Sequence, residues 1–129
     1  MAIPKITQAQ TDNIIIVQGA DYVQDYQVTN DAGTPIDLTG VTFESKIRSD
    51  FGTSATVLET FTVTMVDAAT GTFQASLTDT QTEALGVSAQ AVDSTRNVPI
   101  GFWDLYLIFS GEKFRYVQGT ISVSREATV

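Results

Sequence analysis

From Val41 to Arg48 apolar and polar residues alternate almost without a break. Val41, Phe43 and Ile47 fall on one face of an extended chain, and Thr42, Glu44, Lys46 and Arg48 fall on the other. A helix cannot use a period of two, whereas a half-buried strand of an antiparallel sheet requires it. The strand is entered through a tight polar corner, Pro35-Ile36-Asp37-Leu38-Thr39-Gly40. Asp37 reads there as a turn-maker, its carboxylate taking backbone amides two residues on.

The rest of the chain is punctuated in the same way. Short apolar runs at Asn13–Val17 and Tyr22–Thr29 precede a turn at Asn30-Asp31-Ala32-Gly33. Thr56–Val66 reads as one strand in which Phe61, Val63 and Met65 alternate with threonines, and Thr72–Leu77 as another. Thr80 and Glu83 stand at capping-box spacing, so one short helical turn is expected over Asp79–Leu85. Gly86–Pro99 is small and polar and reads as a long loop, a length that tends to be functional or mobile. A final hairpin turns at Ser110-Gly111-Glu112. Trp103, Leu105, Leu107 and Phe109 share one face of its first strand, and Phe102, Tyr106 and Ile108 the other, interrupted by Asp104. On the return strand Val117, Ile121 and Val123 share one side, with Phe114 and Tyr116 opposite. About seven short strands and one helical turn predict an all-β, immunoglobulin-like antiparallel sandwich, with Trp103 in its core. The expected organisation is a flexible arm over 1–12 and a single domain over 13–129.

Composition narrows the function. The 129 residues contain no cysteine and no histidine, so a Ser-His-Asp triad, a thiolate nucleophile and the usual zinc sites are out of reach. A net charge of −8 opposes binding to nucleic acid, and the seven basic residues read as scattered singly. The longest aliphatic run, Ile14-Ile15-Ile16-Val17, is far too short for a membrane span. The first residues show no secretory signal, and assembly in a cytoplasm is expected. No catalytic residue, cofactor or metal site is expected. Asp21, Asp25, Asp31 and Asp37 crowd the first third without matching a calcium-loop spacing. Asp104, Glu59 and Glu112 are the only acids considered for a carboxylate pair, and Asp104 is expected to be partnered by Arg115 or to sit at an interface.

A strand apolar on both faces is central or has its second face covered by something, which points to a subunit contact or to cover by the short helix. The candidate contact residues are Phe102, Asp104, Tyr106, Ile108, Phe114 and Tyr116, with Val92 and Arg96 from the long loop. Tyr22, Tyr26, Phe102, Tyr106, Phe114 and Tyr116 are also the aromatics from which a sugar-stacking platform could be built, although most read as core. Val-Gln-Gly occurs twice, at Val17-Gln18-Gly19 and Val117-Gln118-Gly119, as bulges or close backbone approaches or as a coincidence of common residues.

In their order, these segments resemble a family of small bacteriophage virion proteins from the tail, baseplate or fibre-attachment region. They are similar, more loosely, to the N-terminal virion-attachment domain of baseplate upper proteins. The segments that carry the resemblance are Gln18-Gly19-Ala20-Asp21, Pro35 to Gly40, the strand Val41 to Arg48 and Gly71 to Leu77. The Thr-rich turn Thr78 to Leu85, Trp103-Asp104-Leu105 and Gln118-Gly119-Thr120-Ile121-Ser122-Val123 complete it. The stretch Gly86–Pro99 is longer than the family's connection. The resemblance implies a non-enzymatic structural protein of the virion, in several copies, with other virion proteins and copies of itself as partners. It implies no nucleic acid, no membrane insertion and no catalytic residues. The alternative is a carbohydrate-binding or adhesin module contacting host glycans.

Overall fold

The computed structural model describes residues 10–30, 32–50, 55–92 and 97–125. Among them the order is β1 (Gln10–Thr11), β2 (Ile14–Val17), β3 (Tyr22–Gln27), β4 (Thr42–Arg48), β5 (Val57–Thr60), β6 (Thr62–Asp67), β7 (Thr72–Leu77), α1 (Asp79–Val92), β8 (Asn97–Phe109) and β9 (Glu112–Ser124). One sheet runs β1-β9-β8-β4-β5, with β2 also paired to β9; the other runs β3-β7-β6. β1 and β2 lie parallel to β9, and every other strand pair is antiparallel. This three-against-six arrangement, with a long β8–β9 hairpin inside the larger sheet, makes the chain an all-β immunoglobulin-like sandwich. The parallel β1 and β2 depart from the purely antiparallel expectation, and sheet pairing already begins at Gln10.

The alternation that opened the sequence survives intact. Val41 and Ile47 are buried and Phe43 packs on the core, while Thr42, Glu44, Lys46 and Arg48 face outward. Ser45, buried between Phe43 and Ile47, donates its hydroxyl to the Asp104 carbonyl at 2.8 Å. Asp37 is the turn-maker: its Oδ1 accepts from the Thr39 amide at 2.9 Å and the Thr39 hydroxyl at 2.6 Å. Those two bonds hold its carboxyl below the ordinary value.

Three expectations are corrected. Thr56–Val66 is not one strand, because the chain passes from the larger sheet to the smaller at Phe61. Phe61 is buried at the crossing, and its amide donates to the Ser45 carbonyl. The short helical turn is a helix of 14 residues that consumes half of the expected loop. Its cap lies two residues earlier than read: the Gln81 amide donates to Thr78 Oγ1 at 3.2 Å and the Thr78 amide to Gln81 Oε1 at 2.9 Å, a reciprocal capping box. Thr82, Leu85 and Gly86 form the buried stripe that lets the helix run past its glycine. Thirdly, the β8–β9 register shifts where Leu105 faces Val117 and Tyr106 faces Arg115. The extra residue is Tyr116, and it reverses the alternation of everything before it. Tyr116 turns inward, 7% exposed, and donates its hydroxyl to the Gln27 carbonyl at 3.0 Å. Phe114 pairs with the buried Leu107 and shares the core-side face, so Arg115 takes the outward place expected for its neighbours.

Phe73 sits at the centre of the core, against Phe43 (4.7 Å between centroids), Tyr26 (5.5 Å) and Tyr116 (5.9 Å). Burying one such side chain contributes about 1.5–3 kcal/mol. Trp103 joins this cluster to the first strands. Its indole N–H donates to the Asp12 carbonyl at 2.8 Å, and the Tyr26 hydroxyl donates to Asp12 Oδ2 at 2.9 Å. Burial, then that bond, pushes the Tyr26 phenol well above its ordinary value, and burial beside Asp12 pushes Tyr22 up to about 12. The Asp12 amide in turn donates to the Gln118 carbonyl, and Asn13 Oδ1 accepts from the Thr120 amide.

The two Val-Gln-Gly segments have separate reasons. Gly19 turns the chain after β2 with φ of 83°, and its amide donates to Thr82 Oγ1. Gly119 lies flat under Asp12: a methyl group there would run into the Asp12 carbonyl. Gly119→Ala is therefore expected to lift the Asp12–Asn13 link from β9 and lower stability by about 2 kcal/mol with an unchanged denaturant m-value. A loss under about 0.5 kcal/mol would show that this approach is dispensable.

Candidate functional site: the outer face of the six-stranded sheet

Because β4, β8 and β9 pair side by side, their outward residues form rows across three strands. Thr42, Ile108 and Lys113 make one row; Glu44, Tyr106 and Arg115 the next; then Lys46, Asp104 and Gln118; then Arg48, Phe102 and Thr120. All of them but Thr42 and Ile108 line an open depression of about 650 Å³, rimmed on the β1–β2 side by Thr11 and Asn13. Phe102, Tyr106 and Ile108 are half-buried on this face.

The face is a connected network. Lys113 Nζ is 2.9 Å from Glu44 Oε2 and lies over the Tyr106 ring, 4.8 Å from its centroid. Lys46 Nζ is 3.4 Å from Glu44 Oε1. Arg115 donates to the Tyr106 hydroxyl from Nη2 at 2.8 Å and to Gln118 Oε1 at 3.2 Å, and its Nε stands 3.9 Å from Asp104 Oδ2. Arg48 donates to the Ala55 carbonyl at 2.9 Å. The bonds to Lys113 and Lys46 hold Glu44 below the ordinary carboxylate value. Asp104 behaves in the opposite way. Half-burial pushes its carboxyl up, and the attraction of Arg115, at the outer limit of an ion pair, only partly offsets it.

Lys46, Arg48, Lys113 and Arg115 are four of the seven basic residues in the chain, so the reading of singly scattered cations is corrected. They stand against three carboxylates, Glu44, Asp50 and Asp104, in a protein of net charge −8. The two-residue spacings Lys46/Arg48 and Lys113/Arg115 carried that signal, once each pair is placed on one face of a strand.

Of the candidate contact residues, Phe102, Asp104, Tyr106 and Ile108 come together here. Phe114 and Tyr116 do not, for the reason of the bulge, and the Val92 side chain and Arg96 lie outside the described residues. Of the six aromatics considered for a stacking platform, Tyr22 and Tyr26 pack on the core, Tyr116 lies in it and Phe114 takes the core-side face, leaving Phe102 and Tyr106 on the outer face. Glu59 pairs with Ile47 on the other face of the sheet, accepting from Gln81, and Glu112 sits at the hairpin end. The structure thus brings neither acid to Asp104. Among the described residues no group of three or more acidic side chains gathers within reach of a metal ion. Nor, among the described residues, is any helix long and apolar enough to cross a membrane.

Sequence reasoning missed a second surface. On the edge strand β2, Ile15 and Val17 are 64% and 55% exposed, and no charged residue lies between Asn13 and Ala20. Exposed sheet edges are ordinarily blunted by charge or proline, and this one is not.

No protein-family model and no curated protein matches the sequence. Among solved structures, one from a photo-crosslinking study of multimeric cell-adhesive interactions of VGSC beta subunits superposes with a TM-score of 0.49. It is 8% identical, covering 95% of this chain and 98% of that one, a likeness that carries no functional argument.

Ionisation of Asp104 opposes folding. An acid raised in the folded state favours folding in its neutral form. That contribution is full below the ordinary value of 3.8 and is lost as pH rises through the raised one. Asp104→Asn is accordingly expected to gain on the parent protein in denaturant titrations at neutral pH and to lose that advantage below pH 3.8. An advantage that grows on acidification would reverse the assignment.

Proposed function

We propose that this chain is a non-enzymatic structural protein of a bacteriophage virion, present in several copies in the tail, baseplate or fibre-attachment region. It docks through the outer face of its six-stranded sheet, and copies meet along the uncharged β2 edge. The observation that carries this reading is the outer face itself. Phe102, Tyr106 and Ile108 sit half-buried among ion-paired lysine and arginine on a regular sheet. Tyr and Arg supply much of the energy of protein interfaces, and a rigid sheet presents them at low entropic cost. The virion setting is supported by the order of the sequence segments, from Gln18-Gly19 through Pro35–Gly40 to the closing Gln118-Gly119 strand. The absence of histidine and cysteine is in keeping with a role without acid–base or thiol chemistry.

Immunogold labelling of the particles whose genome encodes this chain tests the proposal. Antibody against the chain is expected to decorate intact particles at the tail, baseplate or fibre attachment in several copies. Intact particles that lack the chain altogether would overturn it.

A further inference from the structure

We infer that the outer-face depression is a seat for an acidic polypeptide segment of a partner protein, laid across β4, β8 and β9. This rests on the docking role proposed above and names the chemistry of what docks.

Charge complementarity carries the argument. Four of the seven cations of a chain of net charge −8 are gathered in this one depression. At physiological ionic strength charges more than about 8 Å apart are largely screened. A segment seated in the depression therefore senses the four cations and the three carboxylates that line it, Glu44, Asp50 and Asp104, a balance of one positive charge, rather than the net charge of −8 of the whole chain. The cations are also held in place. Arg115 is fixed against the Tyr106 hydroxyl, and Lys113 over the Tyr106 ring, so little side-chain freedom is lost on binding. Lys46 and Lys113 share one carboxylate, Glu44, between two ammonium groups. Each ammonium carries three donors, which leaves capacity for incoming carboxylates.

A polypeptide fits better than a saccharide. The depression follows three hydrogen-bonded strands, each about 4.8 Å from the next, which gives a strip about the width of an extended chain. Among the described residues that line it, Phe102 and Tyr106 are the outward rings, Trp103 being buried in the core. A second copy bound face to face fits worse, since it would bring together two patches that each carry more cations than carboxylates.

The test is an NMR titration of the full-length chain with a hexaglutamate peptide, with hexalysine and a uronic-acid oligosaccharide as parallel probes. Hexaglutamate is expected to shift the signals of Lys46, Tyr106, Lys113 and Arg115, and added salt to weaken the binding. Lys113→Glu with Arg115→Glu should abolish the shifts. The milder Lys46→Gln with Lys113→Gln, should the reversal disturb folding, should weaken binding about fivefold to tenfold, as expected for the loss of two exposed ion pairs. Shifts with the uronate and none with hexaglutamate would overturn the inference in favour of a glycan site. Concentration-dependent shifts of the same signals without peptide would overturn it in favour of a second copy, and no shift with any probe would refute it outright. None of these outcomes bears on whether particles carry the chain, so the docking role and the identity of the occupant fail separately.

Discussion

The seam at the β1–β2 side of the molecule is organised around one hydrogen bond, from the Trp103 indole to the Asp12 carbonyl at 2.8 Å, with the ladders to β9 on either side of it. A buried indole N–H without an acceptor costs about 1–3 kcal/mol, so the tryptophan that anchors the core also demands a backbone above it. The Asp12–Asn13 link meets that demand, and it reaches the site only because Gly119 presents no side chain. Once Asp12 is placed, its carboxylate takes the Tyr26 hydroxyl from the opposite sheet. The same link thus ties both layers and starts β2 along β9. Thr11 and Asn13, delivered by this seam, form one rim of the outer-face depression. The core tryptophan therefore shapes the surface as well as the interior.

Much of the fold was legible, and the reasons are local. Period-two alternation placed β4 and the faces of β8 correctly, because a pleated strand with one wet face leaves no other choice for Val41, Ile47, Trp103 and Leu105. Asp37 was legible as a turn-maker because its bonds run only two residues along the chain. What escaped were events set by partners distant in sequence. Tyr116 looks like any outward residue until the Gln27 carbonyl, on the other sheet, draws it inward. The switch of sheets at Phe61 leaves the Thr/apolar pattern unbroken, since both flanking strands need the same alternation. The helix runs on beyond Leu85 through small residues, Gly86, Ser88 and Ala89 among them, which write little apolar periodicity into the sequence.

The candidate site was half visible for the same reason. Phe102, Asp104, Tyr106 and Ile108 declared themselves as an over-apolar second face. Lys113 and Arg115 entered that face only through the bulge, which moved two cations to the outside as it took two aromatics away. One extra residue in β9 thus converts an aromatic hairpin face into a cationic one. In a chain of net charge −8, this depression gathers four cations beside three carboxylates.

The central claim is that this face is covered when the protein is at work. Oxidative footprinting of the isolated chain and of the assembled particle reads this directly, with Phe102 and Tyr106 as the reporters. The account predicts that both are modified in the isolated chain and strongly protected after assembly, while side chains on the outer face of the three-stranded sheet change less. Equal reactivity of Phe102 and Tyr106 in the two states would contradict it.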